Sequence, residues 1–167
     1  DRDRTPEEGP ILAEPLPLTG VLDNLRSAFN VGSIFRTSEA ARVGELLLCG
    51  ITAYPPNAQL DRTALGTVHR VRWRHVVSTI EAVRGLREQR VPVWALEVSE
   101  QARSLREVRF PRPVAVVFGH ETAGVGAEVL REVDGIVEIP LYGRKNSLNV
   151  ASAYAIVIFE ILRQWGY

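Results

Sequence analysis

Residues 114–126, VAVVFGHETAGVG, contain the clearest strand pattern in this chain and the loop that follows it. The first five residues are apolar and uncharged, which predicts a strand buried on both faces, as in a parallel sheet. A loop containing Gly119 and Gly124 follows, and a helix is predicted over residues 126–132. Ligands bind at the carboxyl ends of strands in open α/β sheets, so this junction is a candidate site. A simple strand–turn–helix connection explains the glycines equally well.

Strands and helices alternate on both sides of this stretch. Strands are predicted at 18–22, 45–49, 71–76, 91–96 and 136–139, and helices at 31–42, 79–89 and 147–164, with a loop over 51–60. This alternation predicts an α/β fold with a mostly parallel sheet flanked by helices. No linker separates two cores, so we expect a flexible N-terminal tail over residues 1–14 and a single domain over residues 15–167.

The charge balance, the cysteine and histidine content and the missing motifs argue against several classes of function. Lys plus Arg and Asp plus Glu each number 20, so an RNA partner would require basic residues gathered on one face. The single cysteine, Cys49, excludes an intrachain disulfide and is expected to be a buried apolar side chain. The three histidines are scattered, so no metal site is expected. No dinucleotide-binding, P-loop or serine-hydrolase motif is present.

The apolar stretches are too short and too polar to cross a membrane. The longest, residues 148–162, carries Asn149, Ser152 and Glu160, whereas a spanning helix needs ~20 apolar residues. No secretory signal is visible either. We therefore expect a soluble, cytoplasmic protein without a membrane partner.

Two further junctions combine polar residues with the start of a helix. In residues 139–149, IPLYGRKNSLN, Ser147 is the predicted N-cap, and Asn149 needs a partner if it is buried: backbone, Ser147 or a ligand. In residues 30–36, NVGSIFR, Asn30 is the predicted N-cap. Arg36 lies among apolar residues, so its charge needs a partner if the side chain is buried. A salt bridge to Glu39 or a functional contact would supply that partner.

Basic residues occur in pairs along the chain. The pairs are Arg72 with Arg74 on one strand face, Arg84 with Arg87 and Arg103 with Arg106 on predicted helix faces, and Arg144 with Lys145. A solvated surface is the ordinary explanation of each pair. Several pairs around one cleft would instead attract RNA despite the zero net charge.

The last predicted helix is apolar nearly all round. A helix of this kind must be covered on more than one side. The sheet can cover one face, and a second copy of the chain is a good candidate for another. We therefore expect a homodimer formed through the C-terminal helix.

Together and in this order, three segments resemble the three motifs of the SpoU/TrmH family of the SPOUT superfamily. They are residues 30–37 (NVGSIFRT), 118–125 (FGHETAGV) and 139–150 (IPLYGRKNSLNV), and the resemblance extends from about Leu22 to the C-terminus. These enzymes are RNA 2′-O-ribose methyltransferases that use S-adenosylmethionine. The resemblance also implies a SPOUT-type fold with a deep C-terminal trefoil knot, a topology that residue patterns do not predict.

The resemblance assigns roles to individual residues. The implied catalytic residues are Asn30, Arg36, Glu121, Ser147 and Asn149. The implied cofactor-binding residues are Leu96, Gly119, Glu121, Gly124, Ile139, Leu141, Ser147, Leu148 and Asn149. Candidate RNA-binding residues are Arg72, Arg74, Arg144 and Lys145. His120 is given no role.

The expected activity is S-adenosylmethionine-dependent methylation of a ribose 2′-hydroxyl of tRNA or rRNA. One alternative is a noncatalytic RNA-binding or assembly factor that keeps the knotted fold, and another is methylation of a base nitrogen. The proposed role of the family arginine as proton acceptor would require a strongly perturbed Arg36, because arginine stays protonated in proteins. Otherwise Arg36 would bind phosphate and stabilise the alkoxide while another group takes the proton.

Overall fold

A computed structural model describes residues 14–167, so the predicted tail over 1–14 lies outside the described residues except for its last position. The strands are β1 (Leu16–Asp23), β2 (Val43–Cys49), β3 (Trp73–Val76), β4 (Val93–Leu96), β5 (Arg103–Ser104), β6 (Val114–Gly119) and β7 (Gly135–Glu138). The helices are α1 (Ala28–Ala40), α2 (Ala58–Ala64), α3 (Thr79–Glu88), α4 (Ala127–Leu130) and α5 (Val150–Gln164), and a 3₁₀ turn covers Thr67–His69.

The seven strands form one sheet in the order β3-β2-β1-β6-β4-β7-β5. Every pairing in this sheet is parallel, which confirms the predicted α/β class. All strands therefore end at the same edge of the sheet, called here the carboxyl edge. The loops that follow β1, β4, β6 and β7 meet there, as expected of ligand sites in α/β sheets.

The core lies on both faces of the sheet. In β6 alternate residues point to opposite sides, with Val116 packed toward α1 and α5 and Val117 toward α3. Both side chains are completely buried, as predicted for a strand covered on both faces. Cys49 is also completely buried, and burial raises the pKa of its thiol to about 12. The thiol therefore stays protonated, as expected of a buried apolar side chain.

Helix α5 is anchored to the core through Tyr154. This ring is completely buried, and its hydroxyl lies 2.6 Å from the Ser38 hydroxyl of α1. A Cβ on Gly20 of β1 would approach the Tyr154 ring to 3.1 Å, so the strand has little room for a side chain there. The opposite face of α5 exposes Ile156 and Phe159.

Both predicted helix caps are wrong by a few residues. Helix α1 begins at Ala28, and the Ser27 side chain caps it by accepting the backbone N–H of Asn30. Helix α5 begins at Val150, and Asn149 caps it instead of Ser147. Each segment holds several residues able to cap, and tertiary contacts decide which of them does so.

Two connections also differ from the predictions. Helix α2 begins inside the predicted loop, since Asn57 caps a short helix directly after the Pro55–Pro56 pair. Arg103 lies in the two-residue strand β5 and not on a helix, so Arg103 and Arg106 do not share a helix face. Within residues 14–167, no helix has the length and apolarity needed to cross a membrane.

Candidate functional site

A cavity of about 320 Å³ opens at the carboxyl edge, where β4, β6 and β7 end. Eight of the nine residues expected to bind cofactor line it: Leu96, Gly119, Glu121, Gly124, Ile139, Leu141, Ser147 and Leu148. These residues come from three separate stretches of chain, and the sheet order brings the stretches together because β4 lies between β6 and β7. The volume falls at the lower end of the range typical of small-molecule sites.

The ninth expected residue, Asn149, lies beside the cavity and has two structural roles. Its side-chain oxygen accepts the backbone N–H groups of Ala151 and Ser152, at 2.9 and 3.2 Å, and so caps α5. Its amide nitrogen donates to the Asn30 side-chain oxygen at 3.1 Å. The polar group at the start of this apolar helix is thus satisfied by backbone and by a side chain of α1.

Glu121 extends this contact into a chain that links all three motifs. Its carboxylate accepts the backbone N–H groups of Arg26 and Ser27, each at 3.0 Å, and the Asn30 amide at 3.4 Å. The hydrogen bonds therefore run from Glu121 through Asn30 to Asn149. One side chain from each motif takes part, although 119 positions separate Asn30 from Asn149 in the sequence.

The same contacts set the charge of Glu121. Partial burial alone would raise the pKa of its carboxyl group, but the Arg26 and Ser27 backbone N–H groups and the Asn30 amide outweigh it and hold the pKa below the usual value. Glu121 is therefore a carboxylate at neutral pH. A carboxylate with a lowered pKa is a weak base, and this one is better suited to holding the loop before α1.

Arg36 does not reach the cavity in this structure. Its side chain is exposed two turns along α1 from Asn30, and it is not among the lining residues. The alternative of a salt bridge to Glu39 is not realised, since Glu39 lies 3.9 Å from Arg70. Within residues 14–167, no carboxylate pairs with Arg36.

The loop between β6 and α4 is shaped by two side chains that the sequence did not single out. His120 Nδ1 accepts the backbone N–H groups of Thr122 and Ala123, both at 3.1 Å, and so holds the turn closed. Glu97, directly after β4, accepts the Val125 N–H at 2.8 Å. Both residues line the cavity. One sequence feature could have identified Glu97 as a site residue, namely an acidic side chain at the carboxyl end of a buried strand.

The position of Glu97 also explains why one residue of the loop is a glycine. Gly124 has a φ of 72°, a region that side chains rarely adopt. A Cβ at this position would lie only 2.2 Å from a Glu97 carboxylate oxygen. Backbone and carboxylate therefore approach each other closely along the cavity wall.

The four candidate RNA-binding residues are not brought together. Arg144 and Lys145 are exposed in the loop after β7, next to the cavity. Arg72 and Arg74 belong to the β3 edge of the sheet, three strands from β6, and Arg74 pairs with Glu45 at 3.2 Å. Residues 14–167 contain no group of His, Cys, Asp or Glu side chains that could hold a metal ion.

Fold and site together define an α/β protein with a ligand cavity formed where β4, β6 and β7 end at the carboxyl edge of a parallel sheet. Residues 17–159 match the SpoU rRNA Methylase family. The match covers well over half of the chain, and the chain belongs to this family.

Similar proteins in other organisms agree with this assignment. The chain is 37% identical over 147 residues to a tRNA (guanosine(18)-2′-O)-methyltransferase of Thermus thermophilus, covering 88% of this chain and 75% of that protein. It is 30% identical over 149 residues to the 23S rRNA (guanosine-2′-O-)-methyltransferase RlmB of Vibrio parahaemolyticus, covering 89% of this chain and 60% of that protein.

A solved structure shares the fold. The AdoMet-bound rRNA methyltransferase of Sinorhizobium meliloti superposes with a TM-score of 0.82 at 30% identity, over 91% of this chain and 61% of that protein. The chain therefore spans between about three fifths and three quarters of the length of these relatives.

Proposed function

We propose that this chain transfers a methyl group from S-adenosylmethionine to a ribose 2′-hydroxyl of tRNA or rRNA. The observation that carries the proposal is the hydrogen-bonded chain Glu121–Asn30–Asn149 beside a cavity lined by all but one of the expected cofactor residues. Support comes also from the relatives, which are named as 2′-O-methyltransferases of tRNA and of 23S rRNA.

The residues that line the cavity suit S-adenosylmethionine in polarity and charge. Leu96, Ile139 and Leu141 supply apolar surface and backbone polar groups, which together would bind an adenine ring. Glu97 and Glu121 place carboxylates along a wall that would meet a cationic ligand. When bound, this cofactor supplies a methyl group on a positively charged sulfonium, so no metal or oxyanion hole is required.

The residues of the chain then have to position the two reactants. Correct positioning alone can supply ~7–11 kcal/mol of rate acceleration. Asn30 is held from both sides, by Glu121 and by Asn149, and can keep a ribose in one orientation. In this proposal Arg36 binds an RNA phosphate, a role that suits an exposed guanidinium without a carboxylate partner in the described residues. Another group or water takes the proton of the attacking 2′-hydroxyl.

Several finer points belong to the same proposal. We propose a homodimer through α5, supported by the exposed Ile156 and Phe159, and a deep C-terminal trefoil knot, supported by family membership. One catalytic domain over residues 15–167 and a cytoplasmic location stay predictions. So does the RNA-binding role of Arg72, Arg74, Arg144 and Lys145.

The test is incubation of the purified protein with methyl-labelled S-adenosylmethionine and RNA that lacks the modification, followed by nucleoside analysis. Label in a 2′-O-methylnucleoside of tRNA or rRNA is the expected result. Label on a base nitrogen would contradict the ribose assignment. Cofactor binding without transfer to any RNA would favour a noncatalytic RNA-binding factor.

The Arg36 role has its own test. Arg36→Ala is expected to abolish methyl transfer while S-adenosylmethionine binding, measured by calorimetry, is retained, because Arg36 lies outside the cavity lining. Arg36→Lys keeps the charge but loses the planar fork, and we expect it to restore only part of the rate. Unchanged transfer in Arg36→Ala would remove this residue from the mechanism.

A further inference from the structure

Three aromatic rings meet on one face of β3, next to the loop that follows β2, and none of them lines the cavity. The Tyr54 and His75 ring centroids lie 4.5 Å apart with the planes inclined by 36°, and those of Tyr54 and Trp73 lie 6.2 Å apart. Trp73 and His75 are two positions apart on β3, so both point to the same side of the sheet. The three residues are called here the aromatic platform.

The aromatic platform is open to solvent. Trp73 is half-buried against the core, but Tyr54 is 46% exposed and His75 is also exposed. Large aromatic rings normally gain stability by burial, so neighbouring rings left exposed on a surface mark a candidate binding site.

The aromatic platform is also rigidly held. The His75 ring donates from Nε2 to the Gly50 carbonyl at 2.9 Å, which fixes the orientation of the imidazole. The loop that carries Tyr54 is anchored by Thr52, which is 1% exposed. The Thr52 hydroxyl donates to the Cys49 carbonyl at 2.7 Å and accepts the Leu25 backbone N–H at 3.0 Å. Little ordering is therefore needed before a ligand can stack.

Thr52 also connects the aromatic platform to the candidate active site. Leu25, which donates to Thr52, directly precedes Arg26 and Ser27, whose backbone N–H groups bind Glu121. Chain geometry along these links places the Tyr54 backbone within about 25 Å of the Glu121 carboxylate. An RNA strand with its ribose at the cavity could therefore place a base a few nucleotides away over Tyr54.

We propose that the aromatic platform of Tyr54, Trp73 and His75 stacks an unpaired base of the RNA substrate, close to the nucleotide that is methylated. The inference rests on the proposed function. Exposed aromatic rings bind single-stranded RNA by stacking on bases, whatever their identity. The exposed Arg26, for which the described residues offer no carboxylate partner, adds a positive charge for the phosphate backbone between the two sites.

The test compares two substitutions at Tyr54. Tyr54→Phe keeps the ring, whereas Tyr54→Leu keeps an apolar side chain and removes it. With a fluorescein-labelled mixed-sequence single-stranded RNA of about 12 nucleotides, we expect roughly 5- to 100-fold weaker binding for Tyr54→Leu and a change below about twofold for Tyr54→Phe. Tyr167→Leu is the control, because this exposed tyrosine contacts Arg112, just before β6 begins at the opposite edge.

Salt dependence separates stacking from charge. Tyr54→Leu removes no charge, so the slope of log affinity against log salt should stay that of the wild type while the affinity falls at every salt concentration. Arg26→Gln should instead lower the slope by about one phosphate contact. Wild-type affinity in Tyr54→Leu would overturn the proposal. A changed oligomeric state of this variant in light scattering would also overturn it, because the rings would then form an interface between copies of the chain.

A second variant covers the case in which Tyr54→Leu lowers the melting temperature. His75→Gln keeps an Nε2 donor for the Gly50 carbonyl while it removes the ring, and weaker RNA binding is expected here too. Methyl transfer is measured in parallel with unmodified RNA. If the wild type methylates RNA but neither variant raises the KM for RNA, only the aromatic platform is overturned. If the wild type transfers no methyl group to any RNA, the proposed function itself fails.

Discussion

Glu121 is the residue that ties the loop before α1 to the cavity, and this contact is sensitive to pH. The folded protein holds its pKa below the usual value of about 4.3, so folding is favoured by the ionised form. The stabilisation is fully present above pH ~4.3 and is lost as the pH falls through the lowered folded pKa. We expect the difference in unfolding free energy between wild type and Glu121→Gln to be constant near neutral pH and to shrink in acid.

Chemical denaturation of both proteins at a series of pH values measures this difference. Glu88→Gln is a suitable comparison, since this exposed carboxylate at the end of α3 has no ion pair among the described residues. A Glu121→Gln difference that does not depend on pH would show that the loop is held without the carboxylate charge.

His120 offers a second prediction at the level of single atoms. Its Nδ1 accepts two backbone N–H groups of the cavity loop, and an asparagine oxygen can occupy nearly the same position. We expect His120→Asn to keep S-adenosylmethionine affinity near that of the wild type. His120→Gln places its polar group one bond further out, and we expect roughly tenfold weaker binding in calorimetry.

Loss in His120→Asn with retention in His120→Gln would mean that the other ring nitrogen, Nε2, whose position the glutamine amide can occupy, contributes through the cavity and not through the loop. Equal retention would mean that the backbone bridge between His120 and Gly124 holds the loop by itself. The comparison therefore separates positioning by His120 from direct contact with a ligand.

The residue patterns predicted those parts of the site that depend on local sequence. Gly124 was expected because a glycine loop follows a buried strand, and it has the positive φ that favours glycine. Glu97 and His120 were missed, since their roles depend on backbone groups that only the folded loop brings near. The contact between Asn30 and Asn149 could not be predicted from their spacing in the sequence, because it depends on the packing of α5 beside α1.

At the scale of elements, segments with a clear residue pattern were predicted correctly, and two short elements without such a pattern were missed. Strands β2 and β6 and helix α3 lie within two residues of their predicted bounds. Helix α2 was missed because two prolines precede it and it has only 7 residues. Strand β5 has 2 residues and is defined by its pairing with β7, a tertiary contact without a local pattern.

The packing of α2 on α1 depends on one glycine. A Cβ at Gly32 would lie 2.1 Å from both the Leu60 carbonyl oxygen and the Thr63 hydroxyl oxygen, so the helices would have to move apart. We expect Gly32→Ala to lower the unfolding free energy by about 1–3 kcal/mol, despite the better helix propensity of alanine. Urea denaturation measures the change.

Gly85→Ala is the matched control for this substitution. Gly85 lies inside α3, and a Cβ there would meet no atom within 4 Å beyond the backbone of its own helix. Alanine at this position should therefore raise the unfolding free energy by about 0.5–1 kcal/mol. Opposite signs for the two substitutions are expected. A stabilising Gly32→Ala would show that α2 is free to shift on α1.

At the scale of the whole molecule, the proposed homodimer depends on the exposed side of α5. Ile156 and Phe159 are 42% and 48% exposed and lie on one face, since they are three positions apart. If a second copy covers them, replacing both with glutamate buries two charges in an apolar interface, which is strongly unfavourable. We expect light scattering to give a wild-type mass of twice 18.6 kDa and a monomer for the double variant.

Leu65→Asn provides the control for this last experiment. Leu65 is 60% exposed at the end of α2, and its φ of 51° is one that asparagine adopts readily. Removing it takes away a comparable exposed apolar side chain without touching α5, so the dimer should persist. A wild-type monomer would reject the proposed dimer, whereas a dimer that survives the double substitution would place the interface on another face. Methyl transfer measured on the same samples then tells whether assembly is needed for activity.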